Sequence, residues 1–97
     1  MKLTWSAFAL SDRDAIFTYI EADNPPAAIL IDERIVAAAH RLLDFPASGR
    51  VGRIAGTREH VINGTPYVAA YAITETTVRI LRVLHGAQEW PEQLPLS

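Results

Sequence analysis

The stretch TREHVINGTPYVAAYAITETTVRILRVLH, residues 57–85, decides the fold. Three β-forming runs follow one another with turn words between them. The first is 57–62, and Asn63-Gly64-Thr65 then carries the Asn-Gly pair favoured in hairpins. The second is 66–74, Glu75-Thr76 turns the chain again, and the third is 77–85. Links this short join antiparallel neighbours, so the stretch predicts a meander. In the second run Tyr67, Ala69, Tyr71 and Ile73 share one parity, and Val68, Ala70 and Ala72 the other. In the third, Val78, Ile80, Arg82 and Leu84 oppose Arg79, Leu81, Val83 and His85. The near-continuous apolarity of that run predicts a central strand buried on both faces.

Upstream, Phe45-Pro46-Ala47-Ser48-Gly49 breaks a helix, and residues 49–56 form a Gly/Arg-rich connection without a stable period. The helix before it, about 26–44, places Ile31, Ile35, Ala38 and Leu42 on one face. Ile29, Val36 and Leu43 form a second line at heptad spacing, with His40 beside it. Two readings fit that wide arc: a helix wedged between sheet and neighbouring helix, or a groove wall that accepts a partner's apolar side chains. Asp23-Asn24-Pro25-Pro26 makes a helix–helix corner, with prolines in a first turn whose N–H groups lack partners anyway. A first helix is expected to open at Ser11, with Asp14 at the reciprocal capping position, and Lys2–Ser6 alternates as a short first strand. Downstream, residues 86–97 form a polar tail with Pro91, Pro95 and one large apolar residue, Trp90. The predicted order is β-α-α-β-β-β, an α+β fold with a helical hairpin packed on a small antiparallel sheet. The first strand can add to either edge.

The 97 residues suit a single domain spanning 1–97. With 49% hydrophobic and 21% charged residues the chain is globular rather than disordered. Zero cysteines exclude disulfides, thiolate metal sites and a cysteine nucleophile. No apolar run approaches the ~18–20 residues of a membrane span, so a cytoplasmic, cofactor-free protein is expected. The net charge of −2 argues against direct DNA binding by the chain alone. Charge is nonetheless uneven. Residues 1–49 carry four basic residues against seven acidic ones, whereas 50–82 carry five arginines (50, 53, 58, 79, 82) against Glu59 and Glu75. A guanidinium fork suits carboxylate or phosphate, so this half is either a recognition surface or a set of pairs with the acidic half and its own glutamates.

The element order resembles the RelE/ParE superfamily of toxins from type II toxin–antitoxin modules. So do the words Phe45-Pro46…Gly49-Arg50-Val51-Gly52, Gly56-Thr57-Arg58-Glu59, Pro66-Tyr67…Tyr71 and Ile80-Leu81-Arg82-Val83-Leu84-His85-Gly86. The resemblance covers roughly residues 2–91. It implies a cytoplasmic bacterial toxin, without cofactor, neutralised by a cognate ParD-like or RelB-like antitoxin whose C-terminal segment folds as it binds. RelE-like members cut mRNA on the ribosome; ParE-like members act on DNA gyrase without a recognised catalytic centre. RelE-like toxins carry an arginine where this chain has Val68, and a basic residue where it has Ala87 followed by Gln88. The resemblance therefore points to the ParE-like branch.

On that reading the target-binding candidates are Arg58, Arg79, Arg82, His85 and Trp90, and the antitoxin-binding candidates are Ile29, Val36, His40 and Leu43. A RelE-like endonuclease is the alternative, and would need Arg79, Arg82, His85 and Glu59 to converge on one phosphate. A non-toxic binding module or co-repressor is a third possibility. His60 reads as a solvated strand residue and His40 as an edge-of-core histidine; no metal site can be assembled from these histidines. Trp90 is either a pin for the tail or a target-facing anchor.

Overall fold

The computed structural model describes residues 1–95, so the last two residues of the tail expected over 86–97 lie outside the described residues. The chain runs β1 (Lys2–Trp5), α1 (Ala7–Glu21), α2 (Pro25–Asp44), a 3₁₀ turn (Pro46–Ser48), β2 (Arg50–Val51), β3 (Arg58–Val61), β4 (Tyr67–Ile73) and β5 (Thr77–His85). Two helices pack on a five-stranded sheet of order β1-β5-β4-β3-β2, an α+β architecture.

The antiparallel meander β3–β4–β5 forms as its turn words require. Two features of the sheet go beyond it. First, β1 takes the β5 edge and runs parallel to it, pairing Lys2 with Thr77 and Trp5 with Ile80, so the sheet is mixed. Parallel pairing needs a long connection between partners, and here most of the chain separates them. Second, the Gly/Arg-rich connection contributes Arg50–Val51 as a short edge strand on β3.

The first helix begins five residues earlier than its sequence suggests. Ser6, not Ser11, is the cap: its backbone is extended, and its hydroxyl accepts from the Ala9 N–H at 2.9 Å. The same hydroxyl donates to the Leu81 carbonyl at 2.6 Å. Either serine can cap a helix; the bond to β5, 75 residues away, selects Ser6. Asn24 caps α2 by accepting from Ala27, with Pro25 and Pro26 in the first turn as expected. Arg13 on α1 clasps Asp32 on α2 with two 3.0 Å bonds, and its guanidinium lies 4.6 Å from the Trp5 ring centre.

The sheet is covered on both sides. On the helix side Tyr67, Ala69, Tyr71, Val78, Ile80 and Val83 pack against Ala9, Ile35, Ala38, Ala39 and Leu42. On the outer side Ala70 and Leu81 meet Leu94, with Ile54, Ala72 and Trp90 packed around them. The C-terminal tail therefore crosses the face that the helices leave open.

One irregularity rearranges the faces of β5. Ala70 opposes Arg82 but Tyr71 opposes Ile80, so Leu81 is an extra residue in β5. A bulge of one residue shifts a period of two. The uninterrupted alternation of the sequence places Arg79 with His85 and opposes both to Arg82. Across the bulge the relation reverses. Arg79 and Arg82 oppose Ala72 and Ala70 of the outer face, whereas His85 opposes Tyr67 of the helix side.

Candidate functional site

The outer face is organised around a buried carboxylate. Glu59 on β3 opposes Ala70 on one side and Arg50 on the other, and is 3% exposed. Its Oε1 accepts from Arg50 Nη2 at 3.0 Å, Arg50 Nε at 3.3 Å and Arg53 Nη2 at 3.1 Å. Its Oε2 accepts from the Arg53 backbone N–H at 2.8 Å and from Arg53 Nε at 3.0 Å. Burial alone pushes the acid's pKa upward, but the hydrogen bonds from Arg53 and Arg50 and the charge of Arg53 outweigh it and hold the pKa at about 2. At neutral pH the group is thus an anion that fixes two half-exposed guanidinium groups.

Arg53 carries this order into the tail. Its guanidinium lies 3.7 Å from the Trp90 ring centre, a stacked cation–π contact. The indole N–H points at the His85 carbonyl, 3.4 Å away. His85 is tied into the same corner: its N–H donates to Gln88 Oε1 at 2.8 Å, and its ring Nδ1 accepts from the Ala87 N–H at 3.0 Å. The ring stands edge-on to Tyr67, with centroids 5.6 Å apart.

The remaining strand arginines are engaged within the fold. Arg82 grips Asp12 of α1 with bonds of 2.7 and 2.9 Å, and Asp12 also accepts the Val83 N–H at 2.9 Å. Arg79 donates to Thr4 Oγ1 at 3.2 Å, while its buried Nε has no partner among the described residues. Arg58 opposes Tyr71 on the helix side and donates to the carbonyls of Gly49 (2.7 Å) and Ala47 (3.4 Å), rather than to either Glu59 or Glu75. The Tyr71 hydroxyl completes that anchor by donating to Pro46 O at 2.6 Å and accepting from the Gly49 N–H at 3.0 Å. No side chain fits at Gly49: a Cβ there would lie 2.5 Å from the Tyr71 hydroxyl and 2.8 Å from the Glu59 carbonyl.

The four residues a phosphate-cleaving site would need are accordingly divided. Glu59, Arg79 and Arg82 oppose outer-face residues, each with an internal partner, and His85 belongs to the helix side. On α2, Ile29 is exposed, Val36 and Leu43 are half-buried and His40 is exposed, so the heptad line remains partly open while Ile35, Ala38 and Leu42 fill the core. Leu43 also packs against that core. Beside α2 a groove of about 230 Å³ is lined by Arg34, Ala37, Ala38, Arg41, His60 and Asn63. His60, expected in solvent, is half-buried there, and burial and then the charge of Arg41 lower its pKa. Among the described residues no three His, Asp or Glu side chains gather closely enough to hold a metal ion, and no helix is long and apolar enough to cross a membrane.

Sequence reasoning missed Arg50, Arg53 and Asp12 as organisers of this surface. Asp12 and Arg82 lie 70 positions apart, and no local word links them. The Arg53–Glu59 pair is closer, but its spacing becomes a contact only because β2 and the turn after it fold back onto β3.

Comparison with known proteins agrees with this architecture. The family model of the ParE toxin of the type II toxin–antitoxin system parDE matches residues 3–90. The candidate toxin Y4kP of Sinorhizobium fredii is 44% identical over 93 residues, covering 96% of each chain. The toxin RelE2 of Caulobacter vibrioides is 32% identical over 87 residues, covering 90% of this chain and 97% of that one. Among solved structures, a chain of the chromosomal ParDE toxin–antitoxin system from P. aeruginosa superposes with a TM-score of 0.78 at 26% identity, covering 86% of this chain and 92% of that one. With a family match across almost the whole fold and a near full-length relative well above chance identity, the chain belongs to the ParE toxin family of type II toxin–antitoxin systems.

Proposed function

We propose that this ParE-family toxin acts without bond chemistry of its own, by binding DNA gyrase in the cytoplasm, and that a cognate antitoxin neutralises it. The observation that carries the reading is the division of the candidate groups. His85 faces the helix side with Nδ1 occupied by Ala87, while Arg79, Arg82 and Glu59 are held by Thr4, Asp12 and the Arg50–Arg53 pair. A base and two cations aimed at one scissile phosphate are what RNA cleavage requires, and these groups are not aimed together. What the outer face offers is a recognition surface: the half-exposed guanidinium groups of Arg50 and Arg53 beside Trp90, a pairing of residue types enriched at interface hot spots. Arg79, Arg82, His85 and Trp90 act there mainly by shaping the face and the root of the tail, and Arg58 by anchoring the turn behind it.

Antitoxin binding is assigned to α2, where Ile29, Val36, His40 and Leu43 leave an apolar line partly uncovered. The decisive assay is supercoiling by purified gyrase. Inhibition with a trapped cleavage complex is expected, and normal supercoiling at excess toxin overturns the gyrase reading. The similarity to a protein named Toxin RelE2 is the one observation favouring ribosome-dependent mRNA cleavage instead. Cut message during in vitro translation, lost in His85→Ala, would establish that alternative.

A further inference from the structure

The sequence offers Glu59 as a candidate acid for an RNA-cleaving site, yet its geometry is that of a keystone. We propose that Glu59 is a positioning residue: through Arg53 it docks the C-terminal tail on the outer face and thereby sets the surface presented to the target. The functional half of this statement rests on the reading given under Proposed function.

Three observations meet here. The Glu59 carboxylate is almost fully buried and takes five hydrogen bonds, three of them to Arg53, including one from the Arg53 backbone. Those bonds fix both the position of residue 53 in the loop and the plane of its guanidinium. That plane covers Trp90, the largest side chain of the tail, at 3.7 Å. Trp90 and Leu94 in turn cover Ala70 and Leu81 of the sheet. Among the described residues of this segment, Gly86, Ala87 and Gln88 are tied at its root to Pro66 and His85, and none lies in a strand or helix. A segment without a backbone ladder is ordered by its side-chain contacts, so losing the Arg53 platform releases the strap while leaving β4 and β5 intact.

Antitoxin binding is placed on α2, across the sheet, so the two activities are separable. Glu59→Gln, Arg53→Lys and wild-type toxin are compared at full length by amide hydrogen exchange, by the two tryptophan indole N–H signals in NMR, and by antitoxin affinity and gyrase inhibition. Glu59→Gln is expected to speed exchange at Ala87 and Gln88 about tenfold, the usual worth of hydrogen bonds to a buried charge. Amides of β4 and β5 should keep their protection, and the Trp90 indole signal alone should move. Arg53→Lys keeps a charge for Glu59 but removes the flat platform, and is expected to give a smaller release of about threefold. Both variants should retain antitoxin affinity and lose gyrase inhibition in the same order.

Should Glu59→Gln unfold the protein, Arg53→Lys decides alone, since its side chain is half exposed. Unchanged tail exchange in the folded variants overturns the docking role, and loss of protection across β4 and β5 as well as the tail marks Glu59 as a general structural residue instead. A released tail with undiminished gyrase inhibition overturns its bearing on the target. Wild-type toxin that leaves gyrase untouched defeats the reading of function, and the exchange measurements still decide the docking role.

Discussion

At the scale of single residues, charge placement is the main finding. A carboxylate that is 3% exposed and held at a pKa of about 2 titrates far below its ordinary value of 4.5. Because the folded pKa is the lower one, its stabilisation is complete above about pH 4.5 and is lost as pH falls through about 2. The depression corresponds to about 3 kcal/mol. Urea midpoints measured at pH 6, 4.5, 3 and 2 should change little between the first two and fall steadily from pH 4.5 down to 2, and Glu59→Gln should remove most of the fall. Arg82 makes a comparable statement on the opposite flank. Arg82→Met leaves Asp12, only 14% exposed, with the Val83 N–H as its single remaining hydrogen-bond donor among the described residues. A loss of about 2 kcal/mol is expected, read from the urea midpoint, because an uncompensated partly buried charge costs more than the pair contributes. The presence of arginines in 50–82 was legible in the sequence, and so were the two uses open to them. Which use each one has was not, because Asp12, Thr4 and the Ala47 and Gly49 carbonyls become partners only by folding.

At the scale of elements, β5 and α1 show where periodicity stops being informative. The run 77–85 is a strand buried on both faces, as its composition indicates: Val78, Ile80, Leu81, Val83 and Leu84 are all essentially inaccessible. Its faces are another matter. The arginines change parity between Arg79 and Arg82, but with apolar residues on both parities that change reads equally well as two arginines on opposite faces, so only the register fixes Leu81 as the extra residue. The start of α1 was ambiguous for a related reason, since Ser6 and Ser11 are both competent caps. Ser6→Ala should cost about 1–2 kcal/mol in thermal or chemical denaturation, as the Ala9 N–H loses its acceptor and the Leu81 carbonyl its donor. Ser11→Ala should stay within about 0.5 kcal/mol, since Ser11 is an exposed residue inside the helix.

At the scale of the whole molecule, the sheet separates the two surfaces proposed for antitoxin and target. Helices cover one face and the tail covers the other, so an antitoxin seated on α2 and a target seated on the outer face need not compete for the same atoms. Val36→Glu tests the first surface: at a half-buried position outside the core cluster it should lower antitoxin affinity at least tenfold, read by calorimetric titration, while moving the melting temperature by only a few degrees. Collapse of the fold on this substitution would make the face plain core. By itself the sequence determined the order of the two helices and four of the five strands, the meander, the two-helix hairpin and the superfamily, because turn words, proline positions and hydrophobic period act over a few residues and survive in one dimension. Tertiary structure alone decided the parallel edge taken by β1, the face on which His85 lies, the pairing of each arginine and the docking of the tail. Each of these depends on a contact between residues distant in the chain or on a single inserted residue, and local pattern decides neither.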